Sequence, residues 1–371
     1  MLQNFRRYLF LFVVILAIGI LLYRFRNAIT LQGFDWTAVG ASLRQSRWPL
    51  LFLSLVAIYV CYAIRAIRWV RFCRWLGTAR FGNVLAATLM GFSCTFLLGR
   101  PGEPIRPVLI GRKDALSIPQ MFGIYVLERL FDIAATVVIA ILALLVFQGA
   151  PSAGQASVLV MRTARSAGVV LSAGLVCAIA FLVYFRYHGA AWLSTKLKAP
   201  NWHVGWREKI VVLLQGFSEG LQGIRTWGDL AFATSCTAAH WLLVVAVYWL
   251  VVHAFPGSLA ALPLGGLILV VAFTLVGSAA QLPVAGGGSQ AASFLVLTLI
   301  FGVEKEPAAV ASIVLWLVTL ASCCIVGVPL LLRDGLSMGE LRTLAREEGK
   351  TEEAQLLSDA EQGKPLNERP Q

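Results

Sequence analysis

A series of long apolar runs, repeated along most of the chain, constrains the fold more than any other feature. Each run is close to the roughly 20 residues that an α-helix needs to cross a bilayer, and charges, glycine or proline bound each one. The runs that we interpret as full spans are 8–23, 49–70, 121–147, 166–185, 230–254 and 307–332. The sequence therefore predicts an all-α polytopic membrane protein with about six full spans.

Composition favours a membrane protein over a soluble one. Of the 371 residues, 58% are hydrophobic and 13% are charged, and the mean hydropathy is +0.76. A soluble domain is roughly half apolar and could not bury this much apolar surface. The net charge of +12 suggests nucleic-acid binding, but the Lys and Arg residues lie in short loops and at the ends of apolar runs, as in membrane proteins. No nucleic-acid partner is therefore predicted.

The distribution of basic residues among the loops predicts the orientation. The segments rich in Lys and Arg are 65–80, 112–113 and 196–225. The segments 148–163, 255–263 and 302–306 contain Arg162 and Lys305 as their only basic residues. Because cytoplasmic loops carry the excess of Lys and Arg, we expect a multi-pass protein of the cell (inner) membrane with both termini in the cytoplasm. Segment 24–48 is basic although it should be external, and we interpret it as a helix on the membrane surface.

Two apolar regions are interrupted at their centres. Residues 84–118 contain the sequence GRPGEP at 99–104, and residues 264–302 contain PVAGGG at 283–288. Proline and clustered glycine do not continue a helix, and a broken helix at membrane depth must be buried in protein or line a cavity. With the predicted orientation the first hairpin enters and leaves from the cytoplasm and the second from outside. This predicts an inverted repeat of two interrupted hairpins, whose legs either cross the membrane or turn halfway as re-entrant segments.

The chain changes character near its C-terminus. From residue 333 it is rich in Glu, Lys, Gln and Arg and poor in aromatic residues. We therefore divide it into a transmembrane domain, 1–332, and a cytoplasmic polar tail, 333–371, with a short helix near 338–361. A tail of this size is too small for a catalytic domain.

The first candidate binding group is in the first break, where Arg100, Glu103 and Arg106 lie among prolines and a glycine. Free backbone N–H groups and two guanidinium groups are suitable for a phosphate or another anionic headgroup. The alternative is a structural turn in which Glu103 and Arg106 pair with each other. Arginine at membrane depth favours a functional role.

The second candidate group is Glu128, Arg129 and Asp132, in the first turns of a long apolar helix. The two acids are four residues apart on one face, and Arg129 can bridge to Asp132. They could form an ion or proton relay, or act as counter-ions for the arginines of the first break. The alternative is an internal salt bridge that orients the helix. In each case the side chains point into the protein.

The third candidate group is the second break, with Gly286, Gly287, Gly288 and Gln290. Glycine allows close backbone approach, and free helix ends offer amides to a polar ligand. The alternative is a tight helix crossing of small residues, since Ala291 and other alanines flank the break.

Other polar patterns have simpler interpretations. The arginines at 65, 68, 71 and 74 have the spacing of a voltage-sensor helix, but we expect them to extend to the lipid headgroups from the cytoplasmic end of a span. His240 is expected to have a packing or interface role. The seven cysteines are interpreted as packing residues. No metal-ligand spacing or nucleotide-binding motif occurs in the sequence, so we predict neither a metal nor a cofactor.

Two stretches carry a resemblance to a known family. The run from Arg100 through Glu103 to Arg106, followed by Val126-Leu-Glu128-Arg129-Leu-Phe-Asp132, resembles the transmembrane domain of lysylphosphatidylglycerol synthases and the related flippase-like membrane proteins. The run from Leu282 to Gly288 resembles their later Pro-Gly-Gly signature, although Gln290 stands where these proteins usually have Glu. The resemblance covers about residues 10–332, and we expect this chain to lack the soluble synthase domain of the bifunctional members.

This resemblance implies a helical bundle that moves an aminoacylated anionic phospholipid between leaflets, with Glu103, Arg106, Glu128, Arg129 and Asp132 as signature residues. Our leading hypothesis is a translocase for an anionic or phosphate-bearing lipid. One alternative is a membrane enzyme that acts on a lipid-linked phosphate or sugar, with Glu103, Glu128 or Asp132 as base. Another is a non-catalytic partner of a lipid-modifying enzyme. Such an enzyme, or a second copy of the chain, is the protein partner that these hypotheses allow.

Overall fold

The computed structural model describes residues 36–99, 102–146, 222–278, 281–282 and 286–334, with isolated positions at 173, 176, 216, 219 and 220. The predicted spans 8–23 and 166–185, the tail from 335 onward and Arg100 lie outside the described residues.

The described chain consists almost entirely of helices. In chain order they are α1 (Trp36–Arg44), α2 (Trp48–Cys73), α3 (Phe81–Leu98), α4 (Ile105–Asp114), α5 (Ile118–Val146), α6 (Trp227–His253), α7 (Leu264–Gly277), α8 (Gly288–Leu295), α9 (Lys305–Thr319) and α10 (Cys324–Arg333). Short 3₁₀ turns lie at Gly257–Leu259 and Ala321–Cys323, and a π-helical turn at Val296–Ile300 extends α8. The two-residue strands β1 (Gln281–Leu282) and β2 (Gly286–Gly287) pair antiparallel across the second break.

Several helix ends follow from local chemistry. A proline in the first turn of α2 needs no hydrogen-bond acceptor for its nitrogen. The Thr226 hydroxyl accepts from the Asp229 N–H, and the Asp229 carboxylate accepts from the Thr226 N–H, which forms a capping box at the start of α6. Helix α3 ends at Leu98, and the next residue, Gly99, has a φ of 75°, which suits glycine.

Four described segments are long and apolar enough to cross a membrane: α2, α3, α6 and the segment Lys305–Arg333. Helix α5 has 29 residues and contains the three charged residues of the second candidate group. The all-α polytopic membrane fold is confirmed. Within the predicted surface helix 24–48, residues Trp36–Arg44 form α1, which packs on α9. Its location on the membrane surface remains a prediction.

Helices α2 and α6 form the central antiparallel pair. At one end the Arg47 N–H donates to the Ala254 carbonyl over 2.7 Å. At the other end Arg71 Nε donates to Asp229 Oδ1 over 2.8 Å. The two contacts lie at opposite ends of both helices, so this pair provides a reference for the direction of every other element.

The two hairpins enter from opposite ends of the α2–α6 pair. Asp114, at the end of α4, accepts hydrogen bonds from the Arg80 N–H and the Asn83 side chain at the start of α3, beside the end of α2. In the second hairpin the ring of Phe301 lies against Gly266, near the end of α6. Each hairpin therefore begins and ends on one side, and the two sides differ. Opposite entry sides are what the predicted inverted arrangement requires.

The described helices form two units, α2–α5 and α6–α10. The first helix of each hairpin packs on a helix of the other unit. Helix α3 of the first unit packs on α10 of the second, and α7 of the second unit packs on α5 of the first. The close approach of α3 to α10 depends on Gly327, because a Cβ there would lie 2.4 Å from the Leu89 carbonyl oxygen. Apolar side chains from both units fill the core between the hairpins.

The last predicted span, 307–332, is not one continuous helix. It is interrupted at Leu320, between α9 and α10. The Thr319 carbonyl accepts a hydrogen bond from Tyr62 Oη at 3.3 Å, and the Ser322 carbonyl accepts one from Tyr59 Oη at 2.8 Å. These hydroxyls on α2 give backbone oxygens at the break polar partners inside the bundle, as a broken helix in a membrane requires. The sequence prediction missed the break because the run remains apolar throughout.

Candidate functional site

Six charged side chains from three helices meet inside the bundle. We call them the arginine–carboxylate cluster: Arg65 and Arg68 on α2, Arg106 on α4, and Glu128, Arg129 and Asp132 on α5. Arg65 lies about 12 Å along the axis from the end of α2, and Glu128 about 15 Å from the start of α5. In a hydrocarbon core about 30 Å thick these distances place the cluster near the middle of the membrane.

Glu128 is the centre of the cluster and is fully buried. Its Oε1 accepts hydrogen bonds from Arg65 Nη1 at 3.1 Å and Arg68 Nη2 at 2.9 Å. Its Oε2 accepts from Arg106 Nη1 at 2.8 Å. One carboxylate therefore holds three guanidinium groups from two other helices.

Asp132 lies one turn further along α5 and shares two of these arginines. It accepts from Arg65 Nη1 at 2.9 Å and from Arg68 Nη2 at 3.0 Å. The spacing of four residues on α5 faces the spacing of three on α2, so each arginine bridges both acids. The predicted role of the α5 acids as counter-ions for the first break holds structurally for Arg106 and Glu128, and it extends to two arginines that were predicted elsewhere.

The prediction that Arg65 and Arg68 extend to the lipid headgroups was wrong. Their exposed fractions are 8% and 1%. They turn inward because two buried carboxylates on α5 accept charge-assisted hydrogen bonds from both guanidinium groups. Arg71 and Arg74, nearer the end of α2, are partly exposed.

Helix α6 contributes two polar side chains that sequence reasoning missed. Arg68 Nη1 donates to Thr237 Oγ1 over 2.6 Å, and Arg65 Nε donates to His240 Nε2 over 3.3 Å. The second bond requires a neutral imidazole with its proton on Nδ1. His240 was predicted to have a packing or interface role, and the structure makes it part of the polar network. The spacing of Asp229, Thr237 and His240 on one face of α6, opposite the arginines of α2, was the available signal.

Arg106 lies against an aromatic surface, and two of its hydrogen-bond donors have no partner among the described residues. Its Cζ is 4.8 Å from the ring centroid of Trp69 and 5.7 Å from that of Phe92. Gly91 makes this position accessible, because a Cβ there would lie 2.6 Å from Arg106 Cβ. Arg106 Nη1 binds Glu128, while its buried Nε and Nη2 have no partner among the described residues. These two atoms form the edge that guanidinium groups use for bidentate binding of an anion.

Arg129, Glu103 and Tyr125 form the more exposed rim of the cluster. The Tyr125 hydroxyl donates to Glu103 Oε2 over 2.6 Å, and Arg129 Nη1 is 4.0 Å from the same oxygen. Arg129 Nη2 is 3.9 Å from Asp132 Oδ2, as the predicted bridge requires. The alternative pairing of Glu103 with Arg106 is not the pairing that the structure gives Arg106, which donates to Glu128.

The buried part of the cluster has more positive than negative charge. Three guanidinium groups, of Arg65, Arg68 and Arg106, face the two carboxylates of Glu128 and Asp132, which leaves one positive charge. The rim adds one cation and one anion and does not change this difference. A net charge away from water is unfavourable, and an anion at the unpartnered edge of Arg106 would neutralise it.

The residues of the second break lie on a different set of helices. Gln290 Oε1 accepts the Gly287 N–H at 2.6 Å, and the φ of Gly287 is 102°. A Cβ on Gly277 would lie 2.4 Å from the Gly288 carbonyl oxygen, so the tight small-residue crossing is present. Gly286 belongs to the paired strand β2. Helix α8 packs on α7 and α9, whereas the cluster lies on α2, α4 and α5 beside α6. A ligand-binding role for this break remains a prediction.

The comparisons with known proteins are consistent with this geometry. A search of curated proteins and a search of solved structures each found no match. A family model described as the lysylphosphatidylglycerol synthase TM region matches residues 9–327, which include the whole arginine–carboxylate cluster and both breaks. The chain is thus a multi-pass membrane protein related to lipid modification or translocation, and it belongs to the lysylphosphatidylglycerol synthase TM region family.

Proposed function

We propose that this protein is a lipid translocase that binds the phosphate of an anionic lipid at the arginine–carboxylate cluster and moves the lipid between leaflets. The observation that carries the proposal is the buried Nε and Nη2 edge of Arg106, which lies beside an excess positive charge and has no partner in the described part of the chain. A phosphodiester supplies one negative charge and two acceptor oxygens, which suit both features.

Access to this edge requires movement of the first hairpin. Both donor atoms of Arg106 are shielded from solvent, and Trp69 and Phe92 lie against the guanidinium. Arg106 is the second residue of α4, directly after the break. A small displacement of this short helix would therefore expose the guanidinium of Arg106. A carrier that alternates between open and closed forms needs such a covered site in one of its forms.

The environment of the acids makes an enzyme a weaker alternative. A general base needs a carboxylate that is available to a substrate proton. Glu128 accepts hydrogen bonds from three arginines and Asp132 from two, which stabilises the ionised form of each acid but makes it a poor proton acceptor. This arrangement favours holding an anion over removing a proton.

The test is lipid exchange in liposomes that contain the full-length protein. Wild type should accelerate leaflet exchange of a labelled phosphatidylglycerol, measured by back-extraction of the label. Arg106→Gln should reduce the rate at least about tenfold, because the excess charge and the bidentate edge are both lost. Arg106→Lys should restore part of it, because a lysine keeps the charge but not the fork.

The matched control is Arg80→Gln, which removes an exposed arginine from the start of the same hairpin. It should exchange lipid at the wild-type rate. Wild-type vesicles that exchange lipid no faster than empty vesicles would refute the translocase. Equal loss in Arg106→Gln and Arg80→Gln would refute the assignment of the binding site.

A further inference from the structure

A second group of basic residues lies at the end of α2 and is separate from the cluster. Arg74 Cζ is 4.3 Å from the ring centroid of Trp75, and Arg225 Cζ is 5.4 Å from it. The indole is thus in contact with two guanidinium groups that come from different parts of the chain. Stacking on an aromatic ring limits the rotamers of both arginines.

One buried carboxylate fixes this arrangement. Asp229 has no exposed surface, and it accepts from Arg71 Nε at 2.8 Å, from Arg74 Nη1 at 3.3 Å and from Trp75 Nε1 at 3.1 Å. The same carboxylate caps the start of α6. Trp75 and Arg74 therefore have defined positions although they lie at the end of a helix.

The charges of this group do not balance. The group contains three guanidinium groups, of Arg71, Arg74 and Arg225, and one acid, Asp229, which leaves two positive charges. The side chains of Arg71 and Arg74 are 35% and 38% exposed. Arg225 is exposed as well. The group thus presents fixed, accessible positive charge at the edge of the bundle.

The neighbouring side chains indicate the depth of this group in the membrane. Trp75 is 36% exposed and Trp227, the first residue of α6, is 86% exposed. Exposed tryptophans at helix ends are typical of the headgroup level of a membrane. The charge therefore lies where the phosphates of one leaflet are found.

We propose that Arg74 and Arg225, held on Trp75, form a binding site for the phosphate of an anionic phospholipid in the adjoining leaflet. The two guanidinium groups can each donate to a phosphate oxygen, while Arg71 remains as the counter-ion of Asp229. The bound phosphate neutralises part of the excess charge and leaves the acyl chains in the bilayer beside the bundle.

This site is connected to the cluster by the α2–α6 contact. Arg71 is one turn from Arg68, and Asp229 and Thr237 receive their hydrogen bonds on the same side of α6. The site is therefore placed to receive the headgroup before it enters the cluster. That role rests on the proposed function, whereas binding at the surface does not.

Native mass spectrometry of the delipidated, full-length protein in detergent tests the site. All variants carry Arg106→Gln, so that the cluster does not contribute. Relative to the Arg106→Gln protein, the added double change Arg74→Gln with Arg225→Gln should weaken retention of phosphatidylglycerol about tenfold. Phosphatidylcholine of the same chain length should bind weakly with or without the double change. Arg71 is kept, so Asp229 retains a partner, and a gel-filtration profile identical to that of the Arg106→Gln protein checks the fold.

The matched control is Arg44→Gln with Arg80→Gln, which removes the same charge from two exposed positions. Equal weakening by both double changes would overturn the proposal, because the effect would then be diffuse electrostatics. Displacement of the lipid by soluble glycerol phosphate at equal concentration would also overturn it, in favour of a site for free phosphate. Absence of lipid exchange in wild type, with binding at Arg74 and Arg225 intact, would refute the proposed translocase and leave this site standing.

Discussion

Glu128→Gln should be the most destabilising single change in the arginine–carboxylate cluster. Three guanidinium groups donate to the two Glu128 oxygens within 3.1 Å, and glutamine offers one oxygen and no charge. The change raises the excess charge of the buried cluster from one to two. Removing one partner of a buried ion pair typically lowers the free energy of unfolding by about 3–5 kcal/mol. We expect a value in the upper part of this range because three pairs are lost.

A second substitution should return part of this loss. In Glu128→Gln with Arg106→Gln the excess charge is again one, as in the wild type. We expect the double variant to lose less free energy of unfolding than the sum of the two single losses, by about 2 kcal/mol or more. Residues in one network couple by about 0.5–3 kcal/mol. Arg106 is a suitable second position because its Nε and Nη2 donate to none of the residues that the structure describes.

The measurement is equilibrium unfolding in mixed micelles with increasing denaturing detergent, followed by tryptophan fluorescence. Glu304→Gln, an exposed acid just before α9, is the control and should change the free energy of unfolding by less than about 0.5 kcal/mol. Strictly additive effects of Glu128→Gln and Arg106→Gln would refute the charge argument, because they would show that the two side chains act independently.

Three further predictions concern the breaks. Gly91→Ala should slow lipid exchange severalfold by displacing Arg106, whereas Gly40→Ala, with open space around its Cβ, should not; equal rates would contradict the tight contact. Gln290→Ala should lower the free energy of unfolding by about 1–3 kcal/mol, because a backbone N–H in the second break loses its acceptor, and Gln290→Glu should restore it. Tyr59→Phe should accelerate hydrogen exchange at the break between α9 and α10, and unchanged protection there would show that its hydroxyl does not stabilise the break.

Much of the helical fold was predictable, because the length of apolar runs reflects bilayer thickness and Pro and Gly indicate where helices break. The breaks at 99–104 and 283–288 gave both hairpins, and the loop charges gave their opposite directions. The interruption at Leu320 has no such sequence signal. The backbone carbonyls beside it accept hydrogen bonds from tyrosines about 260 positions earlier in the chain, which a local pattern does not reveal. The membrane sidedness of the termini remains a prediction.

The site was predictable in part. Glu128 and Asp132 stand out as acids in an apolar run, and Arg106 as an arginine in a break. Arg65 and Arg68 look identical in sequence to Arg71 and Arg74, and only their neighbours on α5 and α6 separate buried from exposed arginines. Such neighbours come from tertiary packing, which a periodic pattern on one helix does not specify.

The packing of α3, from the first hairpin, on α10 of the second unit has a consequence for biosynthesis. Helix α3 reaches its final contact with Gly327 only when almost the entire membrane domain has been synthesised. Until then the Leu89 carbonyl and the small side chains around it have no partner helix. The first hairpin is therefore incompletely packed in the membrane while more than two hundred further residues are synthesised. Truncation before α10 should leave it in this state and make it a substrate for quality-control proteases.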